Sequence, residues 1–477
     1  GRASFDSRPC FVLSSISCML GLQGLCAPCT ARHISVDLCI GWRAVHISAR
    51  ACVAAKPSTI NIHGTSYKTD DYTNIPSSIM ARVFPTTQLP YQEHHPLKIL
   101  RDEIERVFGK KYTPIRAPSP VVTSKLNFDD LGFPADHPGR MPSDTYYVNR
   151  ETCLRTHTSA HEVETFRAGY KRWLLTADVF RRDEIDSSHY PVFHQMEGAS
   201  VWSYDAFNRG GPVEQECIAM ETILQQAGME IHDDVNIDEA DGWQDVHMRD
   251  HPDATKLALR HLKASLNTLV LALFRKRWAE EAQTNEPLRV RWIPATFPFT
   301  APSFEVEVWF RGKWLEILGT GIVKQRTLDV AGIPKNLGWA FGLGLERIAM
   351  VLFSIPDIRL FWSEDARFLN QFKSAEPLNI TFKPYSKYPP CYKDVSFWMP
   401  QSFHENDMFE TVRDRAGDLV EDVVCIDDFL HPKTGRHSRC YRINYRSMDR
   451  NLENDQVNAL HAEVVNALVS RCHVQIR

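Results

Sequence analysis

The run DVFRRDEIDSSHYPVFHQMEG, Asp178 to Gly198, sets the tightest limits on what this 477-residue chain folds into. Val179 and Phe180 lead into Arg181, Arg182 and Asp183; a polar loop follows, and Pro191 opens a second apolar segment. The pattern predicts a strand, a long loop and a returning strand. Side chains alternate faces along a strand, so Phe193, Gln195 and Glu197 share one face while His194 and Met196 take the other. One face then carries an aromatic plate, an amide and a carboxylate in a row, with a guanidinium on the neighbouring strand. A guanidinium fork suits phosphate and carboxylate oxygens, a carboxylate with an amide oxygen suits an ammonium, and a flat ring suits a purine. Spacing alone leaves an ordinary surface hairpin with polar ends open beside a hairpin that holds an amino acid and a nucleotide together.

The rest of the chain supplies a frame for that hairpin. Helical spacing of Leu97, Ile99, Leu100, Ile104 and Val107, closed by Gly109, predicts a helix from about His94. Ser119 to Phe133 reads as a strand and loop, Asp144 to Asn149 as a short strand, and His161 to Trp173 as a helix begun after Ser159. Between Tyr204 and Asp253 the chain turns acidic and irregular, which reads as solvated loop. Ala254 to Ala279 then predicts one long amphipathic helix. Strands are expected at Arg289–Ile293, Phe304–Phe310 and Lys313–Leu318, the last two paired across Arg311-Gly312, and the GLGLER run opens a buried helix. Mainly antiparallel strands flanked by helices make an α+β domain.

Composition shifts twice. Residues 1–55 hold five arginines, no lysine and two acids, the make-up of an organellar transit peptide; an extension with no address is the alternative. The CxxC pair of Cys26 and Cys29 has no second pair or histidines at ligand spacing, so it does not make a zinc site. The second shift falls near Phe372 to Pro377. Beyond it, strand-like FKPYSKY and DVSFWMP, a helix, two strands and a final helix give a β-α-β-β-α order of ferredoxin-like type. A net charge of −4 places any nucleic-acid contact on a local patch. No stretch approaches about 18 uninterrupted apolar residues, so no membrane partner is expected.

The central run resembles motif 2 of class II aminoacyl-tRNA synthetases in the form found in phenylalanyl-tRNA synthetases. Similar segments lie at Leu154–His161 (LRTHTSAH), Phe297–Val308, Trp314–Gly321, Trp339–Met350 (WAFGLGLERIAM) and Lys383–Trp398, in the family's order. The wording is most similar to the single-chain form of mitochondria and chloroplasts. The resemblance implies a class II antiparallel-sheet catalytic domain over residues 56–375, with the helix from His94 as its motif 1, and a ferredoxin-like anticodon-binding domain over 376–477. It implies a monomer of the mitochondrial matrix or chloroplast stroma that uses ATP with Mg²⁺, L-phenylalanine and tRNA(Phe).

Carried over residue by residue, the resemblance makes Arg181 and Arg347 the catalytic pair. Arg181 meets the α-phosphate and the substrate carboxylate, and Arg347 clamps the γ-phosphate over the adenine. Phe193 stacks on the other adenine face and His189 reaches the outer phosphates. His157, Thr158, Ser159, Gln195 and Glu197 match the contacts to the amino acid's ammonium and carboxylate. Phe297 and Phe299 meet the substrate ring edge to face, as two rings on one side of a strand separated by Pro298, or else are plain core. Thr320 stands where the family usually has alanine or cysteine, and a hydroxyl on the pocket floor is expected to favour para-hydroxyl analogues. Glu316 holds Mg²⁺ through the ATP phosphates or serves a salt bridge. Arg439, Arg442 and Arg446, near Tyr441 and Tyr445, suit an RNA loop or form a solvated face balanced by acids. A catalytically silent RNA-binding relative would have lost Arg181, Gln195, Glu197 or Arg347, and all four are present. A ligase for another amino acid such as tyrosine is argued against by Phe297, Phe299 and the THTS run.

Overall fold

The alternating segment from Val192 becomes the longest strand of an eight-stranded sheet. In chain order its strands are β1 (Thr113–Arg116), β2 (Arg172–Phe180), β3 (Val192–Ser203), β4 (Glu230–His232), β5 (Arg289–Ala295), β6 (Thr300–Phe310), β7 (Lys313–Val323) and β8 (Asn336–Gly344). They lie in the order β1-β2-β3-β8-β7-β6-β5-β4, antiparallel except at the two edge pairs β1-β2 and β4-β5. The structure, a computed structural model, describes residues 58–477 apart from 84–87, 118, 238–241, 283–286, 375 and 385–387. The transit segment expected at 1–55, with Cys26 and Cys29, lies outside the described residues.

Helices cover one face of this sheet. Helix α1 (Pro96–Phe108) starts where the sequence demands: the His95 ring accepts from the Leu97 N–H, proline takes the first turn, and Gly109 at φ +66° ends it. Leu97, Leu100 and Ile104 are fully buried. With α2 (Glu162–Arg167), α3 (Pro212–Ala227), α4 (Pro252–Ala282) and α5 (Leu345–Phe353) on the page, the main core is that of α1, α4 and α5 against the sheet. Helix α4 is long and apolar enough over 252–279 to cross a bilayer on composition, but 72% of that window is buried inside the protein. Its Leu262, Leu266 and Leu269 are core residues. Met196 joins this core, whereas Phe193, Gln195 and Glu197 face the opposite side, as alternation requires.

The C-terminal part is β9 (Cys391–Trp398), α6 (Glu405–Ala416), β10 (Val420–Leu430), β11 (His437–Tyr445), α7 (Asn454–Arg471) and β12 (Gln475–Ile476). Its sheet order, β10-β11-β9-β12, is all antiparallel, the split βαβ arrangement expected, closed by a short last strand that the sequence pattern did not show. Four expectations are corrected. The stretch from Tyr204 to Asp253, expected as solvated loop, carries the 16-residue helix α3 and the edge strand β4. FKPYSKY makes no strand at its described residues 382–384 and 388; Phe382 is instead buried in the larger core. The helix expected to Trp173 stops at Arg167, because Gly169 turns the chain at φ +94° into β2. Phe297 and Phe299 lie in the turn between β5 and β6, not on a strand.

The loop between β2 and β3 is bonded to the smaller domain. Arg413 of α6 donates to the carbonyls of Asp183 (2.7 Å) and Glu184 (3.1 Å), and the Val423 N–H donates to the Ile185 carbonyl (3.0 Å). Ile185 itself packs into the smaller domain's core. Beside it, buried Arg359 pairs with Asp357 (2.8 Å) and donates to the carbonyls of Asp418, Val420 and Arg446. Truncation at Arg359 leaves Asp357 buried without its partner, a cost of about 3–5 kcal/mol. Arg359→Ala is therefore expected to lower the melting temperature and split calorimetric unfolding into two transitions; a single, unshifted transition would count against this joint.

Candidate active site

One cavity of about 740 Å³ opens on the sheet face away from the main core. It is lined by Arg181, His189, Phe193, Gln195, Glu197, His157, Thr158, Ser159, Phe297, Phe299, Glu316, Thr320 and Arg347, every residue expected to touch the amino acid, ATP or metal. The β2-β3 register explains half of this. Phe180 pairs with Val192, so Arg181, one step beyond the strand, sits beside Phe193 with its guanidinium carbon 5.3 Å from the ring centre. The Arg181 Nε donates to the Thr156 carbonyl (2.7 Å), and among the described residues no carboxylate pairs with its terminal nitrogens. That leaves a pre-aimed cation facing the cavity.

A buried joint sets the other wall of this half. Glu346, at the start of α5, accepts from the His194 backbone N–H (2.9 and 3.1 Å) and from His194 Nδ1 (2.7 Å). A carboxylate only accepts, so the ring proton is on Nδ1. The joint ties the residue after Phe193 to the residue before Arg347. Arg347 is exposed and donates to Glu316 Oε2 (3.1 Å), so the salt-bridge alternative for Glu316 is realised. Glu305 lines the same wall, and burial, then Glu316 and Glu307, hold its carboxyl above the usual range. Glu316 already has Arg347 and Glu307 has Arg291, so among the described residues Glu305 is the acid of this wall without a cation, and its place beside Glu316 fits a divalent cation. His189 bonds Asp186 (2.7 Å), which raises its pKa and favours the imidazolium.

The other half of the cavity is drier. Gln195 Oε1 accepts from the Thr158 N–H (3.3 Å) and Glu197 Oε2 from the Ser159 hydroxyl (2.8 Å). Burial pushes the Glu197 carboxyl up to about 7. The His157 ring is stacked on Phe133 (centroids 5.4 Å, 4° between planes) and lies 6.1 Å from Phe299; burial, then Arg181, push it down to about 3 and keep it neutral. Phe297 and Phe299 stack at 6.0 Å, so the two rings share a wall although the backbone is a turn. Thr320 Oγ donates to the Ala340 carbonyl (2.6 Å). Its proton is committed to the backbone, and the polar floor expected to favour para-hydroxyl analogues has no donor left.

Two contributors were missed: Phe133 and the buried Glu162 next to His161. The FPADHP run that starts at Phe133 offered no signal, but Glu162 falls one helical turn after Ser159, a spacing that places it on the same side.

The three C-terminal arginines lie elsewhere and all carry acids. Arg442 is bidentate to Asp394 (2.8 Å) over the Tyr392 ring, Arg446 meets Glu421 (2.8 Å) and Arg439 meets Asp428 (2.9 Å). Arg436 lies over Trp398 (4.6 Å) nearby. The face is basic and aromatic, and balanced by acids.

Comparison with known proteins is consistent along the chain. Residues 82–220 and 254–372 match the family described as tRNA synthetases class II core domain (F), and residues 386–477 match the ferredoxin-fold anticodon binding domain. The mitochondrial phenylalanine–tRNA ligase of Saccharomyces cerevisiae is 45% identical over 88% of this chain and 95% of its own length. The chloroplastic/mitochondrial phenylalanine–tRNA ligase of Arabidopsis thaliana is 44% identical over 86% of this chain and 83% of its own, and the mitochondrial one of Mus musculus 42% over 91% and 93%.

Gly319 lets Phe297 close over β7: a Cβ there would lie 2.8 Å from the ring. Gly319→Ala should displace that ring and weaken binding of an aromatic amino acid about 10-fold or more, read as a dissociation constant by calorimetry.

Proposed function

Because the chain belongs to the phenylalanine–tRNA ligases of the class II synthetase family, enzymes that join phenylalanine to tRNA at the expense of ATP, we propose that this cavity is where amino acid and ATP meet. The carrying observation is Arg181: a cation fixed by a carbonyl, unpaired by acid, beside an aromatic plate and within one cavity with a buried carboxylate.

On this reading the phenylalanine ammonium sits against Glu197 and Gln195 near Ser159, and its ring enters the slot of Phe297, Phe299 and Thr320. Neutral His157 and the Thr158 backbone bound the carboxylate side. Adenine lies on Phe193, with Arg347 across from it and His189 near the outer phosphates. The amino-acid carboxylate oxygen attacks the α-phosphorus as the bond to the leaving pyrophosphate breaks. Arg181 touches both anions, so it brings them together and offsets charge that builds on the phosphoryl oxygens. Glu316 with Glu305 would hold Mg²⁺, which supplies further neutralisation of the phosphates. Arg347 then exchanges Glu316 for phosphate. The terminal ribose hydroxyl of tRNA(Phe) takes the acyl group from the adenylate.

The domains divide at 56–375 for chemistry and 376–477 for the anticodon, with Arg439, Arg442 and Arg446 trading their acids for RNA phosphates. Relatives named for mitochondria and chloroplasts support an organellar setting; we place the chain in the matrix or stroma, as a monomer, with 1–55 as its address.

Phenylalanine-dependent ATP–pyrophosphate exchange tests the site. Arg181→Ala and Glu197→Gln should each lower exchange by about 100-fold or more with the melting temperature kept; unchanged exchange would reject the assignment. Because ammonium binding needs ionised Glu197, KM for phenylalanine should rise about 10-fold per unit as pH falls below about 7. A flat KM from pH 6 to 8 would contradict it.

A further inference from the structure

Next to Glu197 the structure holds a second carboxyl that the reaction above leaves unused. Glu162 opens α2 one turn after Ser159, whose hydroxyl binds Glu197. It is 1% exposed, and both its oxygens, together with Glu197 Oε1, are shielded from solvent without a hydrogen-bond partner. Acceptors left so are unfavourable, and two ionised carboxylates facing each other in a dry site are more so. Among the described residues no cation pairs with Glu162. His161, its neighbour, turns to Arg155 (2.9 Å) and Glu164 (3.7 Å), and the ionisable group that Glu162 faces is Glu197. A proton relieves acceptors on both side chains at once, since a carboxylic acid donates where a carboxylate cannot.

Resting on the reading of the cavity given above, we propose that Glu162 is a positioning residue held as the neutral acid, its proton directed to Glu197, so that the pair offers the substrate ammonium a single negative charge. The proton remains on Glu162 when phenylalanine binds, and Glu197 alone carries the charge. The surroundings divide the roles in this sense: burial and Glu197 keep the Glu162 carboxyl well above its ordinary range, whereas the Ser159 and Thr158 hydrogen bonds favour ionised Glu197 against its burial. One negative charge matches one ammonium; a dianion would leave a charge uncompensated in a place water does not reach.

The test is pyrophosphate exchange by the full chain across a pH series, with two substitutions. Glu162→Gln, a neutral side chain that still donates, should keep KM for phenylalanine within about 3-fold of the parent and leave its pH midpoint in place, whereas Glu162→Ala should raise KM about 10-fold with a smaller change in kcat and move the midpoint upward. A Glu162→Gln enzyme as impaired as Glu162→Ala would overturn the proposal, because an ionised carboxylate would then be required. A Glu162→Ala enzyme with unaltered KM and midpoint would overturn it too. Should Glu162→Ala fail to fold, infrared spectroscopy decides: a protonated-carboxyl C=O band at neutral pH, lost in Glu162→Gln, is expected, and its absence from the parent sinks the idea. Glu197→Gln with unchanged KM for phenylalanine would instead remove the cavity reading itself, whatever Glu162 does.

Discussion

The carboxylate of Glu346 grips His194 by its backbone N–H and its ring, and the half of the cavity between Phe193 and Arg347 depends on that grip. Both partners are buried, His194 at 1% and Glu346 at 2% exposure, so the bonds form where solvent does not compete for them. Phe193 precedes one partner and Arg347 follows the other. A hairpin strand and a helix distant in the chain are thereby set at a fixed separation, and the space between them is the site. Rigid elements bonded in this way hold a geometry that loops alone would not.

The amino-acid half is built on the opposite logic. Its acceptors outnumber its donors, its histidine is uncharged and its aromatic wall stands in a turn braced by Gly319. Such a pocket is under-satisfied when empty, and a ligand bearing an ammonium and a phenyl ring supplies what it lacks. The two halves meet at Arg181, whose terminal nitrogens have no hydrogen-bonded acid or carbonyl among the described residues. A cation kept free in this way is poised for whichever anions arrive together.

Much of this was legible in the sequence because it rests on short-range rules. Alternation placed Phe193, Gln195 and Glu197 on one face, and the helix expected from about His94 runs from Pro96 and ends where Gly109 predicted. What escaped has physical reasons. Glu162 reads as an acid in the first turn of a helix, which is common on any surface, and only the fold brings it against Glu197. For Arg439, Arg442 and Arg446 the sequence allowed a face balanced by acids but not which acids: Asp428, Asp394 and Glu421 come from neighbouring strands, so pairing is a matter of register. FKPYSKY carries aromatic residues suited to a strand, yet Phe382 finds more apolar surface in the larger core. Phe297 and Phe299 show tertiary packing winning over the local pattern.

The loop from Asp183 to His189 belongs to both domains at once: Ile185 in the smaller core, Arg413 on the carbonyls of Asp183 and Glu184, His189 on the cavity rim. Divergence in either domain is therefore constrained by the other. A chimaera that joined the larger domain of one relative to the C-terminal domain of another would need a matched loop and α6 before the rim of its cavity was intact. Inheritance of the two parts as one continuous chain keeps that match without any further selection on assembly.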